Sequence, residues 1–258
     1  VVLEAIGGNE ELREELILKG GALMNLNYDS RCATTDVDFT AASADIQGME
    51  ATIGKLNAIL EDAAVEIGYL NLKCRVQGFK QNPPRKDAKF PTFEVRIGSA
   101  NTMSSELKRL ERGTAIHVTK LEISLFEFVG MSQQIRLSGD NYILAYSLFD
   151  IIAEKLRAFL QQGVRNRRRR QDIFDLARLI EGHDLSVEEK ANVLSIFMTK
   201  CSSRDIYPDK YSIDSQDLIE RAKSEYGTMV LEVVDIKLDF EKDFRMVREF
   251  YRSLPWPI

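Results

Sequence analysis

Two short stretches constrain this chain more than the rest: Leu16-Ile17-Leu18-Lys19-Gly20-Gly21-Ala22-Leu23 and, fifteen residues after the second glycine, Asp36-Val37-Asp38-Phe39. Leu16 to Lys19 reads as a strand, and Ala22 to Leu26 as the first turns of a helix. Asp36 to Phe39 reads as a further strand whose two carboxylates leave the same face. A glycine pair thus opens a helix whose free N–H groups can hold a phosphate. Beside it stands a carboxylate pair able to hold Mg²⁺ through oxygen, with nucleotide phosphates completing the shell. Taken alone, the glycines also fit a plain turn and the aspartates an exposed strand edge. Together they describe the minimum equipment for metal-assisted nucleotidyl transfer.

Composition narrows the chemistry further. The 258 residues suffice for one large domain or two small ones, and 44% hydrophobic with 29% charged residues is ordinary for a globular protein. Cys32, Cys74 and Cys201 are far apart and form no CxxC pair, so neither a zinc site nor a disulfide framework is expected. His117 and His183 are the only histidines, which leaves acid–base work to carboxylates and lysines. No apolar run reaches membrane-spanning length, and Val1-Val2-Leu3-Glu4 has no signal-like character, so no membrane association and a cytoplasmic location are expected. The absence of an initiator methionine suggests a trimmed start. The net charge of −5 does not advertise non-specific nucleic-acid binding, but Arg165, Arg167, Arg168, Arg169 and Arg170 crowd five arginines into six positions. Such a run suits RNA or nucleotide phosphates, or a solvated loop between helices.

The hydrophobic pattern divides the chain near residue 140. Ile46, Met49, Ile53, Leu56, Leu60, Ala63 and Ile67 recur at helical spacing over 45–67, and Leu70–Val76, Phe93–Ile97 and 115–128 alternate as strands. Gln81 to Lys86 reads as a proline-broken loop. From Asn141 the pattern turns helical: Ile143, Leu144, Leu148, Ile151, Ile152, Leu156 and Phe159 form one stripe, and Ile173 to Ile180 the next. Ser186-Val187-Glu188-Glu189 resembles a capping box, and 215–226 and 239–253 are further helices. The expected architecture is α+β: residues 1–140 carry a mixed sheet and residues 141–258 are helical.

A third carboxylate on a neighbouring strand would strengthen metal binding and accept a proton from an attacking hydroxyl. Glu122, between Leu121 and Ile123, and Glu94, between Phe93 and Val95, are both candidates; Glu122 has the more clearly buried flanks. In the helical half, Lys155 could neutralise phosphate charge, its alternative being a surface lysine. Asp172 and Asp175 share a helix face and suit either the site or a cap with a salt bridge.

These residues in this order resemble the AbiEii/AbiGii nucleotidyltransferase-like toxin family. Leu18 to Leu23, Arg31 and Thr34 to Phe39 resemble its first motif. Glu154-Lys155-Leu156-Arg157-Ala158 resembles its lysine motif, and Asp172-Ile173-Phe174-Asp175-Leu176 its later Asp-x-x-Asp motif. The match spans roughly residues 14–182. The resemblance implies a DNA polymerase β-like nucleotidyltransferase core followed by a helical domain completing the active site. It also implies a role in bacterial abortive-infection or toxin–antitoxin systems and a cognate antitoxin regulator. Members include enzymes resembling those that move a nucleotide from an NTP to the tRNA 3′ end. By position, Asp36 and Asp38 would hold Mg²⁺ and take part in catalysis; Glu122, from its strand alone, is the third candidate ligand and catalytic carboxylate. Gly20 and Gly21 would hold the triphosphate, with Lys19, Arg31, Thr35, Arg169 and Arg170 as further nucleotide-binding candidates; Lys155, a catalytic candidate, would contact the nucleotide phosphates, and Asp172 would complete the catalytic site. Gln171 stands where this family usually has Arg, and Thr34 where it has Ser, which keeps the hydroxyl. The leading expectation is an Mg²⁺- and NTP-dependent toxin that modifies RNA. A protein or small-molecule acceptor, and a non-catalytic nucleotide- or RNA-binding module, are the alternatives.

Overall fold

A computed structural model of the chain describes residues 1–30, 34, 36–43, 45–85, 87–165, 170–224, 226–231 and 238–257. In chain order the first half runs α1 (Val2–Gly8), α2 (Glu10–Glu15), β1 (Leu16–Lys19), α3 (Gly20–Asn27), β2 (Asp36–Ala41) and α4 (Gly48–Glu66). It continues with β3 (Leu72–Asn82), β4 (Thr92–Asn101), α5 (Leu107–Glu111), β5 (His117–Ser124), β6 (Ser132–Arg136) and β7 (Tyr142–Tyr146). The second half is α6 (Leu148–Leu160), α7 (Gln162–Arg165), α8 (Arg170–Gly182), α9 (Val187–Ser202), α10 (Gln216–Ser224) and α11 (Phe240–Ser253), with 3₁₀ turns at Ser212–Asp214 and Tyr226–Leu231. Two compact units result. One comprises Val1–Leu23, Thr34–Glu127 and Ser132–Ala145; the other comprises Met24–Ala33, Phe128–Met131 and Tyr146–Ile258.

Among the described residues, the first unit is built on a seven-stranded sheet in the order β3-β4-β5-β2-β1-β7-β6. It is mixed: β2 pairs parallel with β5 and antiparallel with β1, while β1 pairs parallel with β7. Alternation sorts its two faces. Phe39, Phe93, Val95, Ile97, Leu121 and Ile123 are buried, and the alternating partners Asp38, Glu94 and Glu122 point the other way. The stripe Met49, Ile53, Leu56, Leu60, Ala63 and Ala64 is the buried side of α4, which packs on β3 and α1.

Three elements depart from the sequence reading. Ile143 and Leu144 lie in strand β7, not in a helix; the helix begins only at Leu148, where the Ser147 hydroxyl caps the Asp150 amide. Tyr142-Ile143-Leu144-Ala145-Tyr146 is apolar throughout: Ile143 and Ala145 are buried on one face, while Tyr142 and Leu144 are half-buried and Tyr146 buried on the other, in a strand paired in parallel with β1. Strand β3 also extends through Gln81 and Asn82, which pair with Phe93 and Thr92, although the prolines beyond read as a loop. Strand β6, polar at Ser132, Gln133 and Gln134, carries no periodic apolar signal and went unseen.

In the second unit α6 packs on α8 and α9, and α8 on α11. Its core gathers Ile152, Leu156, Phe159, Ile173, Phe174, Leu176, Phe197, Val247 and Tyr251. The capping box at Ser186 and Glu189 is present. Buried Asp150 accepts hydrogen bonds from the Gly130 and Met131 amides at 3.0 and 2.6 Å and faces Lys200 Nζ at 3.3 Å.

Candidate functional site

Register assembles the first group of candidate residues. Lys19 on β1 lies opposite Asp38 on β2, Asp38 opposite Glu122 on β5, and Glu122 opposite Glu94 on β4. Both glutamates considered from sequence therefore stand in one row with Asp38. Asp36 lies two residues along the same face, opposite Lys120. Lys80 ends the row on β3, its ammonium 3.2 Å from Glu94.

The glycine pair is explained by what touches it. Gly20 has φ +68, the left-handed region that only glycine enters without strain. A Cβ there would overlap Asp38 Oδ2 and fall 2.8 Å from Asp38 Cγ. A Cβ at Gly21 would fall 2.8 Å from Thr34 Oγ1, and that hydroxyl donates to the Asp36 carbonyl at 3.1 Å. The two glycines thus let the start of α3 close on the carboxylate strand.

Four carboxylates on one face of the sheet perturb one another. Burial raises the proton affinity of Glu122, and Asp38, Asp36 and Glu94 raise it further, while Lys19 opposes them. Among the described residues, no three His, Cys, Asp or Glu side chains converge into a ready-made metal cage. The donor chemistry nonetheless suits a hard cation: the side chains are all-oxygen, and Mg²⁺ is commonly held by one or two carboxylates with water and substrate phosphates supplying the rest.

A second group lies in the helical unit. Lys155 on α6 is buried, not a surface lysine: its Nζ is 2.6 Å from Asp175 Oδ2 and 3.8 Å from Asp172 Oδ1 on α8. Asp175 is fully buried, and burial raises its carboxyl, against the pull of Lys155 and a hydrogen bond with Ser30. Arg31, Thr35 and Arg169 lie outside the described residues, as does the side chain of Arg170.

A family model described as nucleotidyl transferase AbiEii toxin, type IV toxin–antitoxin system, matches residues 2–249. The chain belongs to the AbiEii nucleotidyltransferase toxin family. The fold is shared with two solved Helicobacter pylori proteins. JHP933 is 13% identical with a TM-score of 0.52, over 98% of this chain and 87% of its own. A protein described as a candidate nucleotidyltransferase is 14% identical with a TM-score of 0.53, over 98% of this chain and 89% of its own. No curated protein sequence matches. As an AbiEii member this α+β protein is a nucleotidyltransferase of a toxin–antitoxin system, with a nucleotide substrate and an antitoxin partner. Its family generally uses a divalent metal. No described helix is long and apolar enough to cross a membrane.

For this AbiEii chain the sequence reading passed over Glu127. It forms an ion pair with Lys19 and accepts from the Thr40 hydroxyl at 3.2 Å. A charge inside Leu125-Phe126-Glu127-Phe128 was the available signal, since a lone carboxylate in an apolar run needs a partner. Asp175, noted as part of a motif, is the closer partner of Lys155.

Proposed function

We propose that this AbiEii transferase moves the NMP unit of an NTP onto the 3′ hydroxyl of an RNA, with tRNA as the acceptor, in the cytoplasm and with Mg²⁺. The observation that carries the reading is the packing of Asp38 against Gly20, with Glu122 next to Asp38 in register. A phosphate-binding helix start and adjacent carboxylates on one sheet face are what such a transfer requires.

In this reading Asp36 and Asp38 would hold the metal. Bound there, it would neutralise triphosphate charge and lower the pKa of the acceptor hydroxyl. The backbone N–H groups at Gly20 and Gly21 bind triphosphate oxygens. Glu122, already inclined to take a proton, accepts the one lost by the attacking hydroxyl. The new bond joins that oxygen to the α-phosphorus, the bond from the α-phosphorus to the bridging oxygen breaks, and pyrophosphate leaves. In the helical unit, Lys155, its ammonium held by Asp172 and Asp175, is the candidate for neutralising phosphate charge. RNA is favoured as acceptor by the arginine run at Arg165 and Arg167–Arg170, which matches a polyanion better than a metabolite.

The test is label transfer from each α-labelled NTP to total bacterial RNA with Mg²⁺. Label in tRNA-sized species that disappears in Asp38→Asn is expected. Undiminished transfer by Asp38→Asn, or label on protein alone, would overturn the reading.

A further inference from the structure

Lys19, a nucleotide-binding candidate from the sequence, is engaged by other side chains of the fold. The side chain is only 12% exposed. Its ammonium donates to Ser124 Oγ at 3.0 Å and pairs with Glu127 Oε2, the same oxygen that accepts from Thr40. Ser124 and Thr40 are cross-strand partners two residues beyond Glu122 and Asp38 on the same face. The ion pair therefore lies alongside the carboxylate row, with Lys19 itself opposite Asp38. A lysine withdrawn to a phosphate would give up this ion pair with the mostly buried Glu127, a costly exchange.

On the metal-dependent reading above, we propose that Lys19 is a positioning residue: seated on Glu127 and Ser124, it is a fixed counter-charge for Asp38 and Glu122, and Glu127 sets how much of that charge they feel. Like charges directly opposite on neighbouring strands repel. Without Lys19 the row is more negative; without the Glu127 charge it is less so. The same balance sets the attraction for a divalent cation. Removing either partner therefore changes metal affinity in opposite directions, which packing alone does not do.

The experiment titrates Mn²⁺ alone, without nucleotide, into the full chain by calorimetry, with circular dichroism to verify folding. Lys19→Met is expected to tighten Mn²⁺ binding about three- to tenfold, and Glu127→Gln to weaken it by a similar factor, as follows from one unit charge near the site at intermediate dielectric. The double variant returns toward wild type, and Lys19→Arg, which keeps the charge, stays near it. If Glu127→Gln does not fold, Lys19→Met against Lys19→Arg still decides. Affinities that move together or not at all overturn the proposal. So does a Lys19→Met variant with unchanged Mn²⁺ affinity and a raised KM for NTP, which marks a phosphate ligand. Wild-type protein that binds no Mn²⁺ defeats this proposal together with the metal assignment; divalent binding without divergence among the variants defeats this proposal alone.

Discussion

Gly20→Ala separates the backbone cost of the glycine from its role at the site. At φ +68 an alanine is strained by about 1–2 kcal/mol. Gly139, in the turn before β7 at φ +57, has open space where a Cβ would lie, with no neighbouring atom within 4 Å, so Gly139→Ala carries the same strain and nothing else. Gly139→Ala should lose roughly 2–8 °C in Tm, as expected for that energy in a chain of this size, and Gly20→Ala at least as much, since its Cβ also displaces Asp38. They should part company in activity. The alanine at position 20 lies 2.8 Å from Asp38 Cγ and closer still to Oδ2, so the carboxylate must retreat by roughly 1 Å to restore ordinary contact. A displacement of that size in a catalytic group costs on the order of 10²-fold in rate. Thermal melts and initial rates of label transfer, run side by side, measure the two effects. A Gly20→Ala enzyme within twofold of Gly139→Ala would refute the claim that Asp38 works from its place against Gly20.

Other outcomes follow from the buried and tethered charges. Lys155→Met leaves Asp175 fully buried without its nearest cation and should destabilise the fold by about 3–5 kcal/mol in urea unfolding; a loss below about 1 kcal/mol would contradict the pairing. Glu4 ties α1 to the turn before β7 through Ser138 N at 3.0 Å, Ser138 Oγ at 2.8 Å and Asn141 Nδ2 at 3.3 Å. Burial pushes this carboxyl up, but those hydrogen bonds outweigh it and hold it below the ordinary carboxylate value. A lowered folded-state pKa stabilises above the unfolded value and loses that contribution as pH falls through the folded one. Wild type should therefore lose an increment of less than about 1 kcal/mol between roughly pH 5 and pH 3 that Glu4→Gln does not lose; parallel stability curves for the two proteins would count against the tether.

Much of the fold was legible because its signals are local. The strand before Gly20, the helix after it, the stripe of α4, the alternation through Leu121-Glu122-Ile123 and the box at Ser186 and Glu189 each depend on residues within a few positions of one another. The elements that escaped are those whose environment comes from distant chain. The run Tyr142-Ile143-Leu144-Ala145-Tyr146 looks helical until β1 lies beside it, and Gln81 joins a strand only because Phe93 is opposite.

The candidate site divides in the same way. Residue types and spacing singled out Gly20, Gly21, Asp36 and Asp38 as candidates, since a glycine turn and a carboxylate pair are written in nearby residues, and Lys155 and Asp172 through motifs of their own. Which glutamate stands by Asp38 was decided by register: Glu122 pairs with Asp38 directly, with Glu94 one strand further. That Lys19 turns to Glu127, 108 residues away, and Lys155 to Asp175, 20 away, was likewise settled by the folded chain. Local covalent order determines which chemical groups a segment offers. Only packing determines which opposite charge each buried group finds, because that choice is made by desolvation and distance in the finished fold.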